Sequence, residues 1–327
     1  MHSKLVAAGA CVAAAVTLAA CGGTGGAGGQ EAGNYPEEPL EWTVAFGPGG
    51  GNDIMSRQIV DILKKEKLYP EDITVENVDG GSGAKGWGRV YAESGNPYAI
   101  SSTSGSFLTT PLESDTGWKP EDFTHIGLLA TDASLFLTSK KSGVTSWEQW
   151  VDHAKSKGKV AVGGIGIVNI DLILHTELAR QAGYEIKYVP FNEEGQLITA
   201  LSSGSLDAIT SNPAEVLGQV ESGDMNALLF TGDEPMPGLT QVPTAKSLGY
   251  TDMVDTPRGL ILPPDVPDEA RQWWIDTMKK VVKTPAWQKY LKKNNLAPNE
   301  RWGDDFASYI KKTSGELEGK LKKYGVL

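Results

Sequence analysis

AFGPGGGNDIMSRQIV, residues 45–60, places three consecutive glycines between an apolar stretch and the start of a helical pattern. Glycine loses more conformational freedom on folding than any other residue, so Gly49, Gly50 and Gly51 require a reason. One reason would be a sharp turn from a strand into a helix. The other would be a bare backbone that a ligand can contact. Under both alternatives a strand ends before Gly47 and a helix follows.

Short strand-like runs alternate with amphipathic helical patterns around this loop. In the helix that follows it, Met55, Ile59 and Ile62 recur with helical spacing and form one apolar face. Strand, helix and strand in this alternation predict an α/β sheet with right-handed crossovers. The predicted elements are strands at 41–46, 73–78 and 98–102 and helices at 54–65 and 84–93.

The alternation restarts after Thr145, which indicates a second lobe. Residues 40–327 also exceed the length of about 100 to 200 residues that is usual for one domain. Two extended segments, 125–139 and 259–262, can carry the chain between lobes, and the mainly helical part after Pro267 returns to the first lobe. The predicted lobes are 40–133 with 260–327, and 134–259. The elements predicted in the second lobe are helices at 147–155, 172–181 and 196–202 and strands at 160–163, 186–190 and 206–211.

The N-terminus, MHSKLVAAGACVAAAVTLAACGG at residues 1–23, has the layout of a secretory signal. Its apolar run, residues 5–18, is too short to span a bilayer comfortably. The run ends in LAAC at residues 18–21, the pattern of a bacterial lipobox, which predicts a lipoprotein signal peptide over 1–20 and a lipid on Cys21. The alternative is an ordinary secretory signal that leaves Cys21 as a free thiol. Both alternatives predict an extracytoplasmic protein, and the first predicts a membrane anchor.

Composition narrows the possible functions of the exported part. The only other cysteine, Cys11, lies inside the predicted signal, so the folded part has no cysteine and cannot contain a disulfide or a thiolate site. Residues 21–39 are rich in glycine, proline and acid and predict a flexible tether. The chain has 30 Lys and Arg against 41 Asp and Glu, which argues against nucleic acid or anionic lipid as a partner. No cluster has metal-ligand spacing.

Four loops share one design, in which a strand ends, small residues follow and a helix begins. In α/β sheets such loops lie at the carboxyl ends of strands, where ligands bind. Helix N-termini there present unpaired N–H groups and a partial positive charge, which favours a carboxylate or phosphate. Loops from both lobes therefore predict a polar cleft for a small anion. The four loops are 47–53, 80–83, 103–106 and 163–166.

Motifs of nucleotide-binding proteins and hydrolases are not matched. The first loop lacks the Gly-Lys-Ser/Thr ending of a P-loop, and Asn52 stands where GxGxxG has its last glycine. GxSxG is missing, and His153 and His175 lie in helical patterns. Asn52 or Asp53 can cap the first helix, and Asp53 repels a carboxylate unless a water or hydroxyl lies between them. An exported enzyme with Asp53 as its base is therefore the least supported alternative.

Five motifs, taken in order, resemble those of the extracytoplasmic solute receptors of tripartite tricarboxylate transporters, also called the Bug family. The resemblance extends over nearly the whole mature chain. The matching segments are Phe46 to Asp53 with Arg57 after it, Asn77 with 80–84, NPY at 96–98, YVPFN at 188–192 and LSSGSLDA at 201–208.

The resemblance implies a two-lobed periplasmic-binding-protein fold, type II-like, with its cleft between lobes joined by two crossing strands near 131–136 and 258–262. It implies a receptor without catalytic residues, metal or cofactor. Such a receptor captures a small organic carboxylate and delivers it to the permease subunits of a tripartite tricarboxylate transporter, and we expect a monomer. A sensor that presents the ligand to a membrane kinase is the alternative.

In the family, glycine loops of both lobes hold the carboxylate, partly through water. This sequence departs from its relatives at Ile165 and Ile167, where serine is common, and at Lys85, where glycine is common. Lys85 would meet a second carboxylate only if it points into the cleft. The ligand-binding residues that the resemblance implies are Phe46, Gly49, Gly50, Gly51, Asn52, Asp53, Ser82, Gly83, Ala84, Thr103, Ser104, Gly164, Ile165, Gly166, Asn169 and Asn192. The candidates for discriminating among carboxylates are Phe107, Asn169, Asn192 and Asn212.

Overall fold

Two β-sheets with helices around them organise residues 35–327, which are the residues that the computed structural model describes. The predicted signal peptide, the lipidation site Cys21 and the first part of the predicted tether lie outside these residues. Elements are numbered in chain order. From edge to edge, the six strands of the first sheet are β11 (Leu296–Trp302), β4 (Thr124–Asp132), β10 (Thr256–Leu262), β3 (Ala99–Ser102), β1 (Leu40–Val44) and β2 (Ile73–Asn77).

The first sheet is parallel on one side and antiparallel on the other. β1 pairs in parallel with β2 and β3, while β10 runs antiparallel to β3 and β4, and β11 runs antiparallel to β4. We call this sheet with its helices the first lobe. Its helices are α1 (Gly51–Lys65), α2 (Ala84–Ala92), α3 (Gly105–Glu113), α8 (Asp268–Val281), α9 (Pro285–Asn294) and α10 (Asp304–Lys323).

The second sheet, with its helices, forms the second lobe. Its five strands, from edge to edge, are β7 (Glu185–Phe191), β6 (Lys159–Ile165), β8 (Ala208–Ser211), β5 (Leu135–Ser139) and β9 (Met225–Phe230). β6 is parallel to β7 and β8, and β5 is antiparallel to β8 and β9. Its helices are α4 (Trp147–Lys157), α5 (Ile170–Ala182), α6 (Glu194–Ser203) and α7 (Pro213–Glu221). The prediction of an α/β fold with two sheets is confirmed.

The chain passes between the lobes at two adjacent places. β4 ends at Asp132 in the first sheet and β5 begins at Leu135 in the second, so the long extended run is two strands that belong to different sheets. The amide of Ser134, in this crossing, donates to Oγ1 of Thr231, just after the last strand of the second sheet, over 2.7 Å. The amide of Thr231 donates back to the Ser134 carbonyl over 2.9 Å. The return segment reaches the first sheet at Thr256, so the expected boundary after residue 259 falls inside β10.

Several elements differ from the sequence-based expectation. Helix α1 begins at Gly51, so the last residues of the predicted loop form its first turn. Helix α7 and strands β9 and β11 had no predicted counterpart, and α3 was expected only as a helix of unstated length after the loop 103–106. α3 has the sequence GSFLTTPLE, with an internal Pro111 that disfavours a helix, but its buried residues pack against helices α2, α5 and α10. Tertiary packing therefore overrides the local sequence preference.

Tyr35, the first described residue and part of the predicted tether, contacts the first lobe. Its hydroxyl donates to the Pro97 carbonyl over 2.8 Å and accepts from Trp274 Nε1 over 2.7 Å. Its ring lies 5.2 Å from the ring of Tyr98. The described part of the predicted tether is therefore bound to the first lobe, because an aromatic residue in it finds an apolar surface.

Candidate ligand-binding site

A cleft of about 400 Å³ lies between the two sheets. The segments that line it follow β1 and β3 in the first lobe and β6, β7 and β8 in the second, at the carboxyl ends of strands. Helices α1, α3, α6 and α7 all begin at this cleft. Its lining is Phe46, Gly47, Pro48, Gly49, Gly50, Gly51, Asn52, Ser104, Gly105, Ser106, Ile165, Asn169, Asp171, Asn192, Glu193, Glu194, Gly195, Ile198, Thr210, Ser211, Asn212, Ala214, Glu215, Thr256 and Arg258.

The structure brings part of the expected ligand-binding set together in this cleft. The expected ligand-binding residues that line the cleft are Phe46, Gly49, Gly50, Gly51, Asn52, Ser104, Ile165, Asn169 and Asn192. Asn212, a candidate for discriminating among carboxylates, also lines it. Those outside the lining are Asp53, Ser82, Gly83, Ala84, Thr103, Gly164 and Gly166. Phe107 is fully buried in the core against Trp87 and Trp118. Lys85 is exposed and also lies outside the lining.

Several residues outside the lining make contacts within the protein. Asp53 accepts hydrogen bonds from the Gly49 amide, from Arg57 Nε and from Asn77 Nδ2, which fixes the glycine loop against β2. Thr103 Oγ1 accepts from the Gly259 amide over 3.0 Å and so joins the end of β3 to β10.

Gly83, in the loop after β2, and Gly166, in the loop after β6, lie in close contact with other side chains. A Cβ on Gly83 would overlap the Trp87 ring, and a Cβ on Gly166 would lie 2.9 Å from Ser82 Oγ. Gly164 lies against Asp171 in the same way. These glycines therefore permit close approach between protein segments.

Each glycine of the opening triplet has a different explanation. Gly49 has φ of +88°, which a side chain would strain, and Gly50 has ordinary extended φ and faces the cleft. At Gly51 a Cβ would lie 2.5 Å from Nη2 of Arg258, so the missing side chain makes room for a guanidinium. The triplet is both a turn and part of the wall of the cleft.

Arg258, on β10, is the central cation of the cleft. It is 4% exposed and forms an ion pair of 2.5 Å with Asp132 on β4. It also donates to Asn52 Oδ1 over 3.1 Å and to Asn212 Oδ1 over 3.3 Å, which links both lobes. Burial alone would lower the pKa of the guanidinium, but the carboxylates of Asp132 and Glu215 raise it above its ordinary value. Arg258 is therefore charged.

Four carboxyl side chains of the second lobe line the cleft, and three of them lie in the first turn of a helix. Glu215 accepts from the Gly51 amide over 2.7 Å, so a carboxylate of the chain itself lies where the sequence predicts that of a ligand. Glu194 Oε1 accepts from Ser211 Oγ over 2.5 Å. Asp171 accepts from the Ile165 amide over 3.0 Å and from Thr210 Oγ1 over 2.9 Å. Their positions at the starts of α5, α6 and α7 place them beside partial positive charges.

Burial changes the acidity of these carboxyl groups. It raises the pKa of Glu215 to about 7 against the opposing effect of Arg258, and it raises the pKa of Asp171 to about 6. Burial together with the charge of Glu215 raises the pKa of Glu194 well above its ordinary value. Perturbed groups that converge in one cleft are typical of functional sites.

The sequence-based prediction missed Arg258, Glu215, Glu194 and Asp171. One signal was visible, since Arg258 interrupts the apolar run TPRGLIL, where an unpaired charge would be costly. The carboxylates had no comparable signal, because an acid in the first turn of a helix is common on any surface.

Known proteins include relatives of this chain. A family model described as the tripartite tricarboxylate transporter family receptor matches residues 55–326. The chain belongs to this family. The receptor is 23% identical over 298 residues to a UPF0065 protein from the gbd 5′ region of Cupriavidus necator, with 90% of each chain covered.

Solved structures support the same architecture. The receptor superposes on the periplasmic binding protein BugD with a TM-score of 0.80 and 21% identity over 89% of this chain and 99% of that one. It superposes on a Rhodopseudomonas palustris protein with adipate with a TM-score of 0.83 and 20% identity over 89% and 99%. The two-lobed periplasmic-binding-protein fold predicted from the sequence is confirmed. Within residues 35–327, no helix combines the length and apolarity that crossing a membrane requires.

Proposed function

We propose that this receptor captures a small organic carboxylate outside the membrane and delivers it to the permease of a tripartite tricarboxylate-type transporter. The observation that carries the proposal is the convergence of four helix N-termini and the buried cation Arg258 on one cleft. This arrangement favours an anion of a few heavy atoms. A structural relative holds adipate, a dicarboxylate, which supports the same class of solute.

Delivery would follow from movement of the lobes about the two adjacent crossings, one between Asp132 and Leu135 and one just before Thr256, which pairs with Asp132. A ligand bound by both lobes stabilises the closed form, and a permease that contacts both lobes would recognise that form. We propose that the lobes predicted from the sequence are the moving units, and that the cleft binds solute without chemical turnover.

The binding part of the proposal is tested by thermal unfolding of the full-length protein in detergent. A panel of dicarboxylates, tricarboxylates, aromatic acids and amino acids is compared with neutral sugars. At 100 times its dissociation constant a ligand adds about 2.7 kcal/mol of stability, so the cognate acid raises Tm by several degrees. A rise with a neutral sugar and with none of the acids would exclude the proposal.

We propose further that a lipid on Cys21 holds the receptor at the cell membrane. The LAAC segment at residues 18–21 supports this proposal. Cells fed radiolabelled palmitate should label the wild-type protein, and Cys21→Ser should abolish the label and release the protein from membranes. Equal labelling of both proteins would rule the anchor out.

A further inference from the structure

The charges that line the cleft do not balance. Among the described residues in the lining, four carboxylates face one cation: Asp171, Glu193, Glu194 and Glu215 against Arg258. Arg258 is already paired with Asp132 at 2.5 Å. Burial and mutual repulsion hold part of these carboxyl groups in the protonated form until a positive charge compensates them, and a ligand that brings only negative charge does not supply that compensation.

The two walls of the cleft differ in hydrogen-bonding character. The first-lobe wall carries donors, namely Arg258, the amide nitrogen of Asn52 and the hydroxyl of Ser104 at the start of α3. Asn52 is 3% exposed and Ser104 is 8% exposed, yet neither Asn52 Nδ2 nor Ser104 Oγ has a partner within residues 35–327. Buried polar atoms are rarely left without a partner, so these two point to a ligand.

The second-lobe wall carries mainly acceptors, beside one donor without a partner in residues 35–327, Asn212 Nδ2. Glu194 and Glu215 each use Oε1 for the bonds to Ser211 and Gly51, and within the described chain no hydrogen bond engages Oε2 of either residue. Asp171 differs, because its oxygens accept from Ile165 and Thr210. Two carboxylate oxygens of second-lobe side chains are therefore available to a donor on the ligand.

We infer that the solute carries a cationic nitrogen in addition to its carboxylate, as an amino acid does. Its carboxylate is bound by Asn52, Ser104 and Arg258, and its ammonium group is bound by Glu194 and Glu215. The ammonium supplies the positive charge that the second-lobe wall lacks, and a charge-assisted hydrogen bond to each glutamate is stronger than a neutral one. The inference rests on the proposed function, since it specifies which carboxylates the cleft accepts.

Matched pairs of acids test the inference on the full-length protein in detergent. The pairs are succinate and aspartate, glutarate and glutamate, adipate and 2-aminoadipate, and 3-phenylpropionate and phenylalanine, measured by calorimetry at pH 8. In the pair that fits the cleft, the amino member should bind about tenfold more tightly or better.

The possible outcomes of this comparison separate the inference from the function. Equal or tighter binding by the acid without nitrogen overturns the inference and leaves carboxylate capture intact. Binding of 1,5-diaminopentane as tight as that of glutamate contradicts both, because it removes the need for a carboxylate. If no acid binds, with or without nitrogen, the proposed function fails and the inference fails with it.

Charge-removing variants test the assigned residues. Glu194→Gln and Glu215→Gln keep the side-chain shape, and each should weaken the amino acid about tenfold while the nitrogen-free partner binds unchanged or more tightly. Glu221→Gln, at an exposed position of α7, is the matched control and should change neither ligand. An equal loss for both members of the pair would mean that the glutamates act only in the structure, and would overturn the assignment. Circular dichroism checks that each variant folds.

Discussion

At the scale of single residues, the cleft is built from close approaches between groups that lie far apart in the chain. The Gly51 amide meets Glu215, and its α-carbon leaves room for Arg258. Arg258 and Asp132 form a buried ion pair in which the two charges compensate each other. Removing either side chain would be costly, because the other would remain as an isolated buried charge. Substitutions here therefore act on stability and on binding together.

Gly51→Ala should destabilise the protein by about 1 to 3 kcal/mol, because its Cβ would force the Arg258 guanidinium away from Asp132. Gly50→Ala is the matched control: its nearest neighbour to a Cβ would be Glu215 Oε1 at 3.8 Å, an ordinary contact. Urea unfolding measures both free energies. Equal stability of the two variants would contradict the packing explanation of the triplet.

The raised pKa of Glu215 predicts a pH-dependent free energy of unfolding. The folded pKa is about 7 and the ordinary value is 4.5, so its stabilising effect is complete below pH 4.5 and is lost as pH rises through 7. Burial raises this pKa most, and the charges of Asp132 and Asp171 raise it further, while Arg258 and the Gly51 amide lower it. Glu215→Gln should remove about 1 to 3 kcal/mol of this decline between pH 5 and pH 8.

Urea unfolding across that pH range measures the difference in free energy of unfolding between wild type and Glu215→Gln. Burial lowers the pKa of His125 to about 4 and that of His175 to about 3. Their contribution to the free energy of unfolding has the opposite pH dependence, because it is lost as pH falls through 6.5. Their effect cancels in the difference. A difference that does not vary with pH would refute the assignment to Glu215.

At the scale of elements, α5 of the second lobe connects the cleft to the first lobe. Its first turn carries Asp171 in the cleft, and Glu177 further along accepts from the hydroxyl of Tyr324, just beyond the end of α10. Burial alone would raise the pKa of Glu177, but Tyr324 and Arg180 lower it below its ordinary value. This contact joins the lobes away from the cleft.

Tyr324→Phe should lower the free energy of unfolding by about 1.5 to 3 kcal/mol, because the buried Glu177 carboxylate loses a charge-assisted donor. Tyr91→Phe serves as a control within the first lobe, because it removes a hydroxyl from the same residue type. Thermal or urea unfolding provides the measurement. A loss no larger than that of Tyr91→Phe would show that the contact between α5 and α10 adds little.

At the scale of the whole molecule, the lobes share an apolar core as well as a cleft. Val168, Leu172 and Ile173 of the second lobe pack in one cluster with Phe107 and Leu317 of the first. Burial of this surface stabilises the arrangement in which the lobes are together. Movement of the lobes is therefore restrained on the side of α5.

This shared cluster predicts that the two lobes unfold in one cooperative transition. Circular dichroism should show a single urea transition. Hydrogen exchange measured in urea should give the same midpoint for the strands of both sheets. Leu172→Ala, which shortens one side chain of the cluster, should lower that midpoint for both lobes by the equivalent of about 2 to 5 kcal/mol. Separate midpoints in the wild-type protein would contradict the prediction.

Sequence patterns determined the fold class, the family and the glycine loops, because helical and strand periodicities and loop chemistry depend on neighbouring residues. They predicted strands and helices such as 73–78 and 84–93 within one residue of β2 and α2. They indicated that a helix begins after the loop 103–106 but not how far α3 extends, because its sequence disfavours a helix and its formation depends on packing. They also indicated that the triplet in AFGPGGGNDIMSRQIV is a turn and a binding surface at once.

Only the tertiary structure decided the charges of the cleft. Glu215 is 164 residues from Gly51 in the chain, and Arg258 is 206 residues from Asn52. No local pattern records such a meeting, because it depends on how two lobes close and on which charges can remain buried as pairs. The glycines in the sequence indicated where a ligand would approach, and the folded chain shows that its own carboxylates already line that place.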